Sequence, residues 1–197
     1  MGRQRLEAFS DGVFAILITI MVLEIKVPHG DGWGDLLGLM PILSAYALSF
    51  IFVGIYWNNH HHLLHTLEHS NGAIQWANLF LLFWISLIPV GVEWMDESGF
   101  ANLPTALYSF VLFMCAMAYF VLYWTIRRSQ GDQSKLAKAV RYPWKEQSSI
   151  LLYIVAFGTS FWQPLVALGF LVVVAGLWLV PDRRIERAIA DEIEQDA

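Results

Sequence analysis

The chain alternates long apolar runs with short polar connections. Apolar segments fall at about 9–27, 37–57, 73–94, 103–126, 148–163 and 165–180. The last two share one block of ~33 residues, too long for one crossing of a bilayer core ~30 Å thick and short for two. That block is interrupted at Gln163-Pro164. A proline in a helix interior removes a donor and clashes with the carbonyl four residues back. A tight hairpin is therefore expected there, with one long kinked helix as the alternative. The pattern predicts an all-α integral membrane protein with six transmembrane helices per subunit.

The first segment differs from the others. Arg5 to Val27 reads RLEAFSDGVFAILITIMVLEIKV, and its one long run without charge is Gly12 to Leu23. As a helix those uncharged residues reach only ~18 Å, well short of the ~30 Å core. A spanning helix here carries Asp11 or Glu24 to membrane depth. An ion at that depth faces protein or a water-filled path rather than lipid. At 100° per residue, Gly12, Ile16, Thr19, Ile20, Leu23 and Val27 lie within roughly 100° of one another. This stripe is apolar except for Thr19. Its spacing alone is satisfied by a core seam, a lipid face or a pore lining. A ring of isoleucine or leucine closes a channel by dewetting. The Thr19 hydroxyl faces either an ion or a carbonyl one turn earlier, the commoner fate. Arg5 and Asp11 are about 120° apart on the helix and do not meet each other. Each therefore needs a partner from another helix or subunit, as at an assembly joint.

Composition agrees with the pattern. Of 197 residues, 57% are hydrophobic and 15% charged, against ~25% charged in soluble domains. Mean hydropathy is +0.51. Cys115 is the sole cysteine, which excludes an intrachain disulfide. A basic start before an apolar run resembles a signal peptide, but Asp11 and the sequence Glu24-Ile25-Lys26-Val27, with no small-residue cleavage site, argue against one. Six spans with both termini cytoplasmic place eleven of the twelve lysines and arginines inside and only Lys26 outside, as the positive-inside rule requires. Trp33, Trp57, Trp94, Trp124 and Trp144 fall near segment ends, as an interfacial belt would. The domain reading is a single six-helix membrane unit over 1–181 and a cytoplasmic tail over 182–197. In the tail, Ile185, Ile189 and Ile193 recur every fourth residue among charges, the mark of an amphipathic helix.

Arg5-x-x-x-Phe9-Ser10-Asp11 followed at once by an apolar helix resembles the signature of the lysosomal potassium channel family (transmembrane protein 175) and its prokaryotic relatives. Four residue types at fixed spacing carry the resemblance, and the six-span plan extends it over most of the chain. It implies a multi-pass potassium-selective channel of the prokaryotic cell membrane, a homotetramer with four first helices around the pore. Potassium is then the permeant ion, the partners are further copies of the chain and membrane lipids, and neither cofactor nor nucleic acid is involved. In place of a TVGYG-type carbonyl filter, which this chain lacks, the resemblance implies an apolar constriction five residues after the motif aspartate, at Ile16. Further pore positions land on Thr19, Ile20 and Leu23, coinciding with the stripe found from periodicity. A dry constriction at Ile16 blocks protons, and transient wetting admits them. The motif arginine and aspartate are implied to join a polar network with a tryptophan ending the second helix, here Trp57. Some members follow that tryptophan with histidine. Here Asn58 stands there and the histidines begin at His60.

His60, His61, His62, His65 and His69 cluster after Trp57. Their i, i+3 and i, i+4 relations suit a metal site in a helix, but the resemblance implies none, and Glu68 is the carboxylate next to them in sequence. A polar cytoplasmic connector is the plainer reading. His60 or His61 beside Trp57 is the candidate for the polar network, which would make opening pH-dependent because histidine titrates near neutrality. Two other classes compete with a channel. A secondary transporter wants a midplane site with broken helices, and Pro164 and, weakly, Pro89 are the breaks on offer. A membrane enzyme wants a nucleophile motif, phosphate loop or dinucleotide fingerprint, and none is present.

Overall fold

A computed structural model describes residues 2–67, 69–131 and 144–179. The described residues form helices α1 (Arg3–Leu23), α2 (Trp33–Gly38), α3 (Met40–His65), α4 (Gly72–Ile85), α5 (Ile88–Glu97), α6 (Asn102–Gln130), α7 (Trp144–Ser160) and α8 (Pro164–Leu179). Four apolar stretches are long enough to cross a membrane: α1, α3, α4 with α5, and α6. Gln147–Ser160 and Pro164–Leu179 are shorter apolar helices. The tail after residue 179, including Ile185, Ile189 and Ile193, lies outside the described residues.

Prolines set three of the helix boundaries. Pro164 opens α8, and residues 161–163 turn the chain so that α7 and α8 pack against each other as a hairpin. Pro89 has a larger effect than expected. The third apolar segment is not one helix: α4 stops at Ile85 and α5 starts at Ile88. Ile85 is four residues before Pro89, so its carbonyl is the one that the ring would strike and that loses its donor. Pro41 acts likewise at the start of α3, separating it from α2. Between α5 and α6, Gly99 (φ 62°) and Phe100 (φ 61°) are both left-handed. Phe100 N–H donates to the Met95 carbonyl at 2.8 Å and Gly99 N–H to Asp96 at 2.9 Å, a Schellman closure.

Helix α6 is the central post. It packs against α4, α5, α7 and α8 and is the most buried of the long apolar stretches. Tyr108 on α6 is fully buried, and its hydroxyl lies 2.8 Å from Ser49 Oγ of α3. Ser49 donates its own proton to the Ala45 carbonyl, so Tyr108 is the donor. Gly91 of α5 sits where a Cβ would come within 3.2 Å of the Tyr108 ring, which lets α5 approach α6 closely.

Helix α1 is at the edge, and it is the least buried of the four. Its 21 residues span ~32 Å at 1.5 Å per residue. They start earlier and stop earlier than the hydrophobicity suggests. Arg5, Glu7 and Asp11 are inside the helix, while Val27 lies beyond its end and leaves the stripe. One face, Leu6, Ser10, Phe14, Leu17 and Met21, is buried, mainly against α3. Phe14 is 1% exposed and is the largest anchor on that face. Phe14→Ala is expected to cost about 3–5 kcal/mol, read as a lower thermal midpoint in detergent. An unchanged midpoint would show that this face does not hold α1.

Beyond α1, Lys26 Nζ donates to Glu97 Oε1 at 3.0 Å. This contact holds the Lys26 ammonium above its usual range. Both partners are exposed, so the pair adds little to stability.

Candidate functional site

The motif residues divide between two faces of α1. Ser10 is buried, Asp11 is half-buried, and Arg5 is exposed. Phe9 is exposed too. By 100° per residue, Arg5 and Phe9 fall in the same arc as Gly12, Ile16, Thr19, Ile20 and Leu23. Every one of these is exposed, with Ile16 at 59% and Leu23 at 78%. An uncovered strip thus runs along α1 from a guanidinium at one end to Leu23 at the other. Thr19 Oγ1 donates to the Ile16 carbonyl at 2.8 Å, so its proton is committed to the backbone and only its lone pairs remain for a cation.

The opposite side of α1 carries two polar anchors. Trp57 Nε1 of α3 donates to Asp11 Oδ1 at 2.9 Å, a charge-assisted bond between the first and second long helices. Trp57 also stacks on His61, with ring centroids 6.3 Å apart. The described contacts join Arg5 to neither Asp11 nor Trp57. The second anchor is fully buried. Ser10 Oγ donates to the Leu6 carbonyl at 2.8 Å. Asn78 Nδ2 of α4 donates to Ser10 Oγ at 3.0 Å. Asn78 Oδ1 lies 2.6 Å from His60 Nε2. The direction of each bond follows from the one before. Ser10 has spent its proton, so Asn78 must donate to it through its amide nitrogen. The amide oxygen then faces His60, which must carry its proton on Nε2. Ser10, Asn78 and His60 tie α1, α4 and α3 together in a place with no water access.

His60 therefore belongs to a network, but with Asn78 and Ser10 rather than with Trp57. The histidine run is only partly a connector: α3 continues to His65 and holds His60, His61, His62 and His65 in helical register, while His69 lies in the link before α4. Glu7 of α1 reaches them, with Oε1 2.9 Å from His61 Nδ1 and 3.4 Å from His65 Nε2. Glu68 lies outside the described residues. Asn78 and Glu7 are the residues that sequence reasoning missed. An amide inside an apolar span was the available signal for Asn78. Glu7 had none, because its partners are more than fifty residues away.

The sequence model of the family described as "Endosomal/lysosomal potassium channel TMEM175" matches residues 5–89, the stretch holding α1, α3, α4 and both anchors. The chain is 52% identical over 191 residues to a potassium channel of Chryseobacterium sp. (strain P1-3), covering 97% of this chain and 100% of that one. It is 31% identical over 116 residues to the human endosomal/lysosomal proton channel TMEM175, covering 53% of this chain and 23% of the human one. The fold superposes on the crystal structure of a lysosomal potassium-selective channel TMEM175 homolog from Chamaesiphon minutus with a TM-score of 0.79 and 28% identity, over 91% of this chain and 97% of that one.

Proposed function

Since this chain belongs to the TMEM175 family of channels, and is with that a multi-pass membrane protein and a cation channel rather than an enzyme, we propose that it conducts potassium selectively through a homotetrameric pore lined by α1. In this reading the subunit crosses the prokaryotic cell membrane six times, with both ends in the cytoplasm and lipid around the outside of the tetramer. Four copies of the exposed strip face one another, and the Ile16 side chains form an apolar constriction that passes ions only when wetted. Thr19, Ile20 and Leu23 continue the wall.

The observation that carries this reading is the division of α1 into two unlike faces. One is bound into its own subunit by Phe14, Ser10 and Asp11. The other is uncovered. Exposed apolar side chains elsewhere, such as Trp76, Phe83 and Leu165, suit lipid equally well. The α1 strip differs in containing Gly12 and Thr19 and in ending on Arg5, a charge unsuited to lipid. The relatives' names as potassium and proton channels support a monovalent cation as cargo. Four strips closing on one axis also give Arg5 a neighbouring subunit to meet.

A secondary transporter is the alternative that the interrupted α4–α5 segment favours. Flux from proteoliposomes distinguishes the two. A channel is expected to pass K⁺ down its gradient without a second ion and faster than Na⁺. Flux that stops when a coupling ion is removed would replace the channel reading with the transporter.

A further inference from the structure

We propose that Glu7, His61 and His65 form a binding site for a divalent transition cation of the Zn²⁺ class, which fastens the first turns of α1 to the last turns of α3. The three residues come from two helices. His61 and His65 are four apart on α3, a spacing that puts two imidazoles on one helix face as in helical zinc sites. Glu7 approaches from α1. The ligand atoms, His61 Nδ1, His65 Nε2 and one Glu7 carboxylate oxygen, all lie within 4.8 Å of one another.

The distances suit the metal. In a tetrahedral zinc site with bonds of ~2.0–2.1 Å, two donor atoms stand ~3.4 Å apart. Here Glu7 Oε1 is 2.9 Å from His61 and 3.4 Å from His65, so small side-chain rotations bring all three donors to one ion. The donor set is two neutral nitrogens and one carboxylate, which suits zinc or cobalt and not calcium or magnesium. Glu7 is largely buried, its side chain 15% exposed, while each histidine is 39% exposed. The carboxylate is thereby preplaced, and one side stays open for the ion to enter and for water to complete its shell. Arg3 Nη1 donates to the His65 carbonyl at 3.4 Å, a further hold of α1 on this end of α3.

The cluster joins α3 to the bundle-facing side of the candidate pore helix, off the exposed strip, so the site stands or falls independently of the pore assignment. The test is zinc binding by the tag-free, chelator-stripped full chain in detergent, with zinc alone as titrant. One Zn²⁺ per subunit is expected. Glu7→Gln and His65→Ala should each weaken binding by about 100-fold or more, since even an outer partner of a ligand costs 10–100-fold. His29→Ala, in the loop beyond the other end of α1, should leave it unchanged. Size-exclusion profiles check that the variants keep their assembly. A second readout needs no variant: Co²⁺ added to the wild type should give the intense visible absorption of a tetrahedral site, erased by Zn²⁺. Absence of stoichiometric zinc, binding that survives both ligand variants, or a weak octahedral cobalt spectrum would each overturn the assignment.

Discussion

Ile16→Asn is expected to raise single-channel conductance about tenfold or more and to lower the preference for K⁺ over Na⁺. The size follows from the barrier. An isoleucine ring offers no ligand to a cation and excludes water when narrow. In the proposed tetramer, four asparagines would replace it with four amides that hold water and accept from it, and removing only ~1.4 kcal/mol from the barrier speeds passage about tenfold. Selectivity should fall in the same variant, because a hydrated, polar constriction no longer requires the ion to shed water. The subunit itself should tolerate the change. Ile16 is 59% exposed and takes no part in the packing that holds α1. Recording K⁺ and Na⁺ currents from wild type and variant in planar bilayers checks both halves. If the variant assembles normally and its conductance and ion preference equal those of the wild type, Ile16 is not the constriction.

The strip is legible before any coordinates because helical periodicity needs only local spacing. Ile16, Thr19, Ile20 and Leu23 share a face wherever the helix begins, so an error of a few residues at either end of α1 does not disturb them. Val27 is lost for the same reason: a claim about the last position of a stripe depends on where the helix stops, and here Glu24 ends it. The interruption at Ser86 and Leu87 has a local cause in Pro89 and was within reach. The extension of α3 through Trp57 to His65 was not, because the histidines carry neither the hydropathy nor a stop signal, and their helix is held by contacts with α1 and α4. Those long-range contacts also explain what went unread in the site. The link between Trp57 and Asp11 was implied by the family resemblance that the motif carries, not by spacing. The chain from Ser10 through Asn78 to His60, and the Glu7 contact with His61 and His65, join residues 18 to 68 positions apart, and no periodicity encodes such pairs.

Asn78→Leu is expected to be the most damaging change of one buried polar residue in the bundle. The replacement keeps the number and branching of the side-chain heavy atoms, so it opens no cavity and chiefly removes the hydrogen bonds. It leaves His60 Nε2–H and Ser10 Oγ without their partner, in positions where both residues are 0% exposed. A buried polar group stripped of its partner costs about 1–3 kcal/mol, and cross-helix bonds inside membranes measure nearer the lower end. A loss of about 2–3 kcal/mol is therefore expected, since two groups are orphaned. Ser10 is cushioned by its bond to the Leu6 carbonyl, and His60 is not: its other nitrogen, Nδ1, is already buried without a partner. Most of the penalty should thus come from His60. It follows that His60→Phe in the Asn78→Leu background should restore at least half of the lost stability, because removing both members of a buried pair is far less costly than removing one. Thermal or denaturant midpoints of the detergent-solubilised assembly, taken for both single variants and the double, complete the cycle. Additive losses would mean that His60 and Asn78 do not act as a pair, and an Asn78→Leu protein as stable as the wild type would mean that α1 is held in the bundle by its apolar face alone.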